Sequence, residues 1–201
     1  MKKFIKKRWP WILGACILLI GLILVFVQRD DRDFGMPTLT VETPQKLSAS
    51  ETTEFTLYVT ISDLADALYP AMSMSISFDA SRLEFLGVAE GNVFVYDTEN
   101  TTGQKLPVWS YDVTSINASG TINIMYLDLT GGKHAFSKAL LAEENNVVLR
   151  LRFRLRGSVR AGDVMDLIVE DAVFAASDET QSLALTLDTL KVRNGKIVVG
   201  E

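Results

Sequence analysis

The stretch "VVLRLRFRLRG", residues 147–157, alternates apolar and basic side chains with almost no error. Val147, Leu149, Leu151, Phe153 and Leu155 share one phase; Arg150, Arg152, Arg154 and Arg156 share the other. A period of two is the pleat of a β-strand, and a helix cannot sort these residues onto two faces. The same period recurs in "EFTLYVTI" (54–61), "MSMSISF" (72–78), "RLEFLGV" (82–88), "LPVWSYDV" (106–113), "TINIMYLDL" (121–129), "VMDLIVE" (164–170), "SLALTL" (182–187) and "KIVVG" (196–200), with a shorter "LTVET" at 39–43. Turn-forming clusters separate them, as at Glu90-Gly91-Asn92, Gly131-Gly132 and Asn194-Gly195. The segment "KHAFSKALLAEEN" (133–145) spaces Phe136, Leu140 and Leu141 at i, i+4 and i+5 and predicts the one short helix. About nine short strands with one-sided apolar faces predict an all-β chain folded as a β-sandwich.

The first 37 residues follow other rules. Lys2, Lys3, Lys6, Lys7 and Arg8 form a basic flank over residues 1–8, and an uncharged run fills 9–27. Nineteen helical residues reach about 28 Å, close to the hydrocarbon thickness of a bilayer. Trp9 and Trp11 suit the headgroup boundary, and the positive flank predicts a cytoplasmic N-terminus. Residues 9–27 are therefore expected to be a transmembrane anchor in the cell membrane, with the β-domain at 38–201 outside the cell. A cleaved signal peptide is an open alternative, although no small-x-small site follows the run. "LGAC", ending at Cys16, resembles a lipobox, although apolar residues continue beyond it. The link at 28–37, "QRDDRDFGMP", spans at most roughly 35 Å and holds the domain near the membrane.

Composition narrows the function. Cys16 is the only cysteine, so the exported part has neither disulfide nor thiol chemistry. Seven basic and three acidic groups fall in residues 1–33, leaving 13 basic against 22 acidic in 34–201. A domain at net −9 disfavours nucleic acid as a partner. His134 is the sole histidine, so a Ser-His-Asp or Cys-His site would rest on it alone. The acids Glu143, Glu144, Glu170, Asp171, Asp178 and Glu179 read as turns and edges rather than a glycosidase pair. There is no calcium loop of the EF-hand type, and a weak calcium site near Asp163, Asp166 or Asp178 is a minor alternative. The expectation is a chain without catalysis, cofactor or metal.

Two surfaces follow from the alternation. The arginine row predicts a solvated face with cross-strand ion pairs, Glu54 and Glu84 being the acids on neighbouring strands. The alternative for that row is contact with an anionic envelope polymer or lipid headgroups. In "MSMSISF", Met72, Met74, Ile76 and Phe78 point inward and leave Ser73, Ser75 and Ser77 as a low outer row. In "TINIMYLDL", Ile122, Ile124 and Tyr126 point inward and Asn123, Met125 and Leu127 outward, followed by Asp128. Outward Met and Leu beside small hydroxyls predict a flat partner-binding face. Trp109 and Tyr111, or alternatively Ser110 and Asp112, join it from the preceding strand. Segment 133–145 or the loop at 90–105 folding over the face is the competing reading.

The order of these pieces resembles the cohesin domain, the dockerin-binding module of cellulosome scaffolds. "TEFTLYVTISDLADALYPAMSMSISFDASRLEFLGVAEG", with Phe78, Asp79, Leu83 and Glu84 at its turn, is similar to the opening strands. "GTINIMYLDLTGG", "NNVVLRLRFRLRG", "AGDVMDLIVEDAVFAASDE" and "NGKIVVG" resemble later ones, so the likeness covers roughly 38–200. It implies a nine-stranded jelly-roll sandwich whose partner docks on the sheet of the third, fifth and sixth strands. The arginine strand, the seventh, would then lie on the opposite sheet. Ala71 and Ser73 stand where dockerin-binding relatives often carry Asn and Asp, which implies a divergent dockerin-like protein partner or another ligand altogether. The rival function on the same architecture is a carbohydrate-binding module for extracellular polysaccharide. That module would stack sugars on Trp109, Tyr111, Tyr96 or Tyr58.

Overall fold

The computed structural model describes residues 35–42, 44, 47–48, 54–93, 108–141, 146–177 and 184–200. All but Gly35 belong to one compact unit, Met36–Glu201. The run at 9–27 lies outside the described residues, among which no helix is long and apolar enough to cross a membrane.

Two sheets enclose one core. The first has the order β12-β1-β3-β10-β6, built from β1 (Thr38–Val41), β3 (Glu54–Ser62), β6 (Leu83–Glu90), β10 (Val147–Leu155) and β12 (Lys191–Arg193). The second has the order β2-β13-β11-β5-β8-β7. Its strands are β2 (Leu47–Ser48), β5 (Ala71–Ser77), β7 (Val108–Ser110), β8 (Thr121–Leu127), β11 (Val164–Ala175) and β13 (Gly195–Gly200). A two-stranded ribbon of β4 (Leu68–Tyr69) and β9 (Phe136–Ser137) joins the main strands at one end. Most neighbours are antiparallel; β1 with β12 and β13 with β2 are parallel.

Alternation in sequence becomes alternation in burial. Leu149, Leu151, Phe153 and Leu155 of β10 are buried, as are Met72, Met74 and Ile76 of β5 and Ile122, Ile124 and Tyr126 of β8. Phe153 is the crossing point: Phe55 stacks on it at 5.8 Å, while Phe78 and Phe85 meet it edge-on at 5.4 and 5.5 Å. Phe78 follows β5, so this cluster ties one sheet to the other. Such ring pairs add about 0.5–1.5 kcal/mol each beyond the area they bury.

Four local expectations are corrected. The short helix is α1 (Val113–Ser119), not 133–145. The Asp112 carboxylate caps its start by accepting from Ser115 N, and Gly120 ends it in the left-handed region at φ 71°. In the 133–141 part, Phe136 is instead a buried β9 residue and turns follow; 142–145 lie outside the described residues. Of the described residues of "LPVWSYDV", 108–113, only β7 is strand, and those of "SLALTL", 184–187, contribute an isolated bridge, Leu185 to Phe174. Glu170 and Asp171 sit within β11 at a bulge, where the pairing with β5 skips a residue between Val169 and Asp171.

Candidate partner-binding face

The outer side of the second sheet is built by register. Met125 lies opposite Ser110 on β7 and Ser73 on β5, and Ser73 lies opposite Val173 on β11. The next row is Asn123, Ser75 and Asp171; the one after is Thr121, Ser77 and Ile168. Residues opposite one another in a ladder share a face, so these rows form one surface. Met125 is 57% exposed and Leu127 49% exposed, so no described residue covers either; residues 94–105 and 142–145 of the competing cover lie outside the described residues. The serines beside them rise little above the backbone. A shallow depression of about 250 Å³ runs between Met125, Ser73, Ser75 and Ser110.

The polar groups of the face are largely pre-arranged. The Ser75 hydroxyl donates to Asn123 Oδ1 at 2.8 Å, and the Ser77 hydroxyl donates to Glu170 Oε1 at 2.7 Å. Asp128, just past β8, is committed to its own loop. Its carboxylate accepts from the amides of Thr130 and Gly132, both at 2.7 Å, and from the Thr130 hydroxyl. Burial pushes that carboxyl up, but these hydrogen bonds outweigh burial and hold it below the usual carboxylate range. Asp128 therefore shapes the rim of the face.

Six expected residues come together here: Ser73, Ser75, Ser77, Asn123, Met125 and Leu127. Trp109 and Tyr111 do not join them. Trp109 is half-buried against the core, its ring 5.1 Å from that of inward-facing Tyr126. Ser110 takes the outward position, as the alternative phase required. Tyr111 turns toward the opposite sheet, meeting Phe85 edge-on at 6.0 Å, and its hydroxyl accepts from Val88 N at 3.2 Å. It lies over Gly87, at φ 143°, where a Cβ would come within 3.3 Å of the tyrosine oxygen. The only tryptophan outside residues 1–33 is thus not an open platform for a sugar. Sequence reasoning missed Asp171, Val173 and Ile168. Their outward phase is legible, but nothing in the sequence makes β11 the neighbour of β5.

The arginine row lies on the other sheet, as the resemblance implied. Arg154 meets Glu54 at 2.5 Å and Glu84 at 3.5 Å, and Arg152 meets Glu54 at 3.7 Å. The hydrogen bond from Arg154 holds the Glu54 carboxyl below its ordinary range. Arg150 stacks over the Tyr58 ring at 5.6 Å, and Arg156 Nε donates to Leu83 O at 3.1 Å. The two expected acids are the ones found. Among the described residues no cluster of three or more His, Cys, Asp or Glu is disposed to hold a metal; Asp178 lies outside them.

A comparison with curated proteins found no match. Solved structures share the fold at low identity. The third cohesin of ScaC from Acetivibrio cellulolyticus, in complex with the ScaB dockerin, is 15% identical with a TM-score of 0.57, covering 83% of this chain and 100% of that one. A cohesin of Clostridium acetobutylicum is 23% identical with a TM-score of 0.54, covering 82% and 91%. A non-cellulosomal cohesin from the archaeon Archaeoglobus fulgidus is 14% identical with a TM-score of 0.53, covering 83% and 92%. The family model for the cohesin domain matches residues 38–193. With that match spanning most of its length, the chain belongs to the cohesin domain family.

Proposed function

We propose that residues 38–201 are a non-catalytic module that binds a dockerin-like protein through the outer face of β7, β8, β5 and β11. Residues 9–27 hold it in the cell membrane, with the N-terminus in the cytoplasm and the module outside. One observation carries the reading: Met125 stands open on a sheet face, with Leu127 open at the end of the same strand, beside a row of serines of which Ser75 and Ser77 are already hydrogen-bonded. Apolar knobs over a low hydroxyl floor suit a partner that lies flat and brings its own apolar side chains. The Acetivibrio cellulolyticus relative is solved with a dockerin bound, which supports a partner of that kind. Ala71 and Ser73 give the face less polar reach than an Asn/Asp pair, so the partner departs from the common dockerin.

The test uses Met36–Glu201 as bait for secreted proteins of the same cell. Met125→Asp should abolish capture of the principal partner, and Arg152→Gln on the opposite sheet should leave it intact. Equal capture by Met125→Asp and wild type would refute the assignment of the face.

A further inference from the structure

Exposed leucines gather at one end of the sandwich. β1 starts at Thr38 opposite Ser62, the last residue of β3, and a short connection leads from there to β4 and β5. β8 ends at Leu127 opposite Ala71, the first residue of β5, and β10 starts at Val147 opposite Thr60. The starts of β1, β5 and β10, the ends of β3 and β8, and the β4–β9 ribbon therefore share one end. On it Leu68 is 46% exposed, Leu129 63% and Leu140 39%. Leu129 precedes Gly131 and Gly132, both at positive φ, so it rides on a tight turn. Lys133 and Lys138 are exposed on the same loop; Asp63 and Asp66 are exposed on the connection after β3.

This is also the end at which the chain arrives from its N-terminal segment. Residues 28–37 reach at most roughly 35 Å and attach at this end, so it meets the lipid at any extension of the tether, whereas the opposite end, about 30 Å away, needs the tether drawn nearly straight. We infer that this leucine-bearing end rests on the lipid surface, its three leucines entering the headgroup layer while Lys133 and Lys138 stay in the wet part. The inference rests on residues 9–27 being a membrane anchor. Three leucines alone bind a bilayer weakly, but a ten-residue tether keeps them at high local concentration beside it. Lipid is favoured over a second protein because the tether fixes what lies within reach.

The experiment uses the full chain in phosphatidylcholine vesicles containing a headgroup-nitroxide lipid. Single cysteines replace exposed alanines on a Cys16→Ser background: Ala139→Cys at the leucine end and Ala161→Cys at the other, each carrying an environment-sensitive fluorophore. Quenching several-fold stronger at 139 than at 161 is expected, and the excess should vanish when Leu68, Leu129 and Leu140 are replaced by serine. Chain that floats with the vesicles but is quenched equally at both positions overturns the docking and returns the leucines to a protein-facing role. Chain that fails to float overturns the anchor, and the docking with it.

Discussion

Met74 and Met125 are the same residue on adjacent strands, facing opposite ways. Met74 is 2% exposed beneath the serine row, opposite Ile124. Met125 is opposite Ser73, one position along in the same ladder, and more than half open. Met74→Ala removes buried atoms and leaves a cavity that two sheets cannot close, at a cost of about 2–5 kcal/mol. Met125→Ala removes atoms that water already reaches, so its stability effect stays within about 0.5 kcal/mol. Urea unfolding of Met36–Glu201 separates the two. With a denaturant slope of about 2 kcal/mol per molar, Met74→Ala should lower the midpoint by about 1 M or more and Met125→Ala by a small fraction of that. Partner binding should invert the order. Covering the open part of Met125 is worth roughly 1 kcal/mol, about a fivefold change in Kd. Comparable destabilisation by both substitutions would mean that Met125 is packed, and the partner-binding face would be lost with it.

Glu54 sets a pH dependence. Its carboxyl is held below the ordinary value of 4.5 by Arg154 first and Arg152 after it, so its folded form binds protons less readily than its unfolded form. The stabilisation is complete above that ordinary value and fades as pH falls through the lower folded one. Urea midpoints taken from about pH 6 to about pH 3 should fall less steeply in Glu54→Gln. A residual slope should remain, because Asp79 and Asp128 are also held low. High salt should shrink the difference between wild type and variant. Asn117 gives a separate check: its side chain pairs with both the amide and the carbonyl of Phe85 at 2.8 Å, standing in for the strand that edge strand β6 lacks. Asn117→Ala should cost about 1–3 kcal/mol by leaving those groups unpaired, and Asn117→Asp should recover only part of it.

The faces were legible in the sequence because the period of two writes them directly. The serine row, the outward Met125 and Leu127, and the acids that answer the arginines all follow from side-chain phase. What phase cannot supply is adjacency. β11 beside β5 brings Asp171, Val173 and Ile168 to the face, and that pairing joins segments some 90 residues apart. The helix was missed for a different reason. Asp112 and Gly120 are recognisable caps, but α1 has only seven residues and a single buried side chain, Ile116. Its apolar period is too short to announce itself. Segment 133–145 had the better helical spacing, yet Phe136 is taken into the core by the ribbon with β4. Trp109 shows the same override, since its place depends on Tyr126 across the ladder.

The doubled acid in β11 has a consequence for how this strand tolerates change in length. Val169 and Ala172 both point inward with Glu170 and Asp171 between them, so the chain spends one residue more than strict alternation needs. Removing one acid would leave Phe174 inside and Val173 outside, whereas a one-residue deletion elsewhere in β11 would turn half the strand over. The stretch where β11 passes from β13 to β5 is thus a place where the gene can lose a codon without turning the protein inside out.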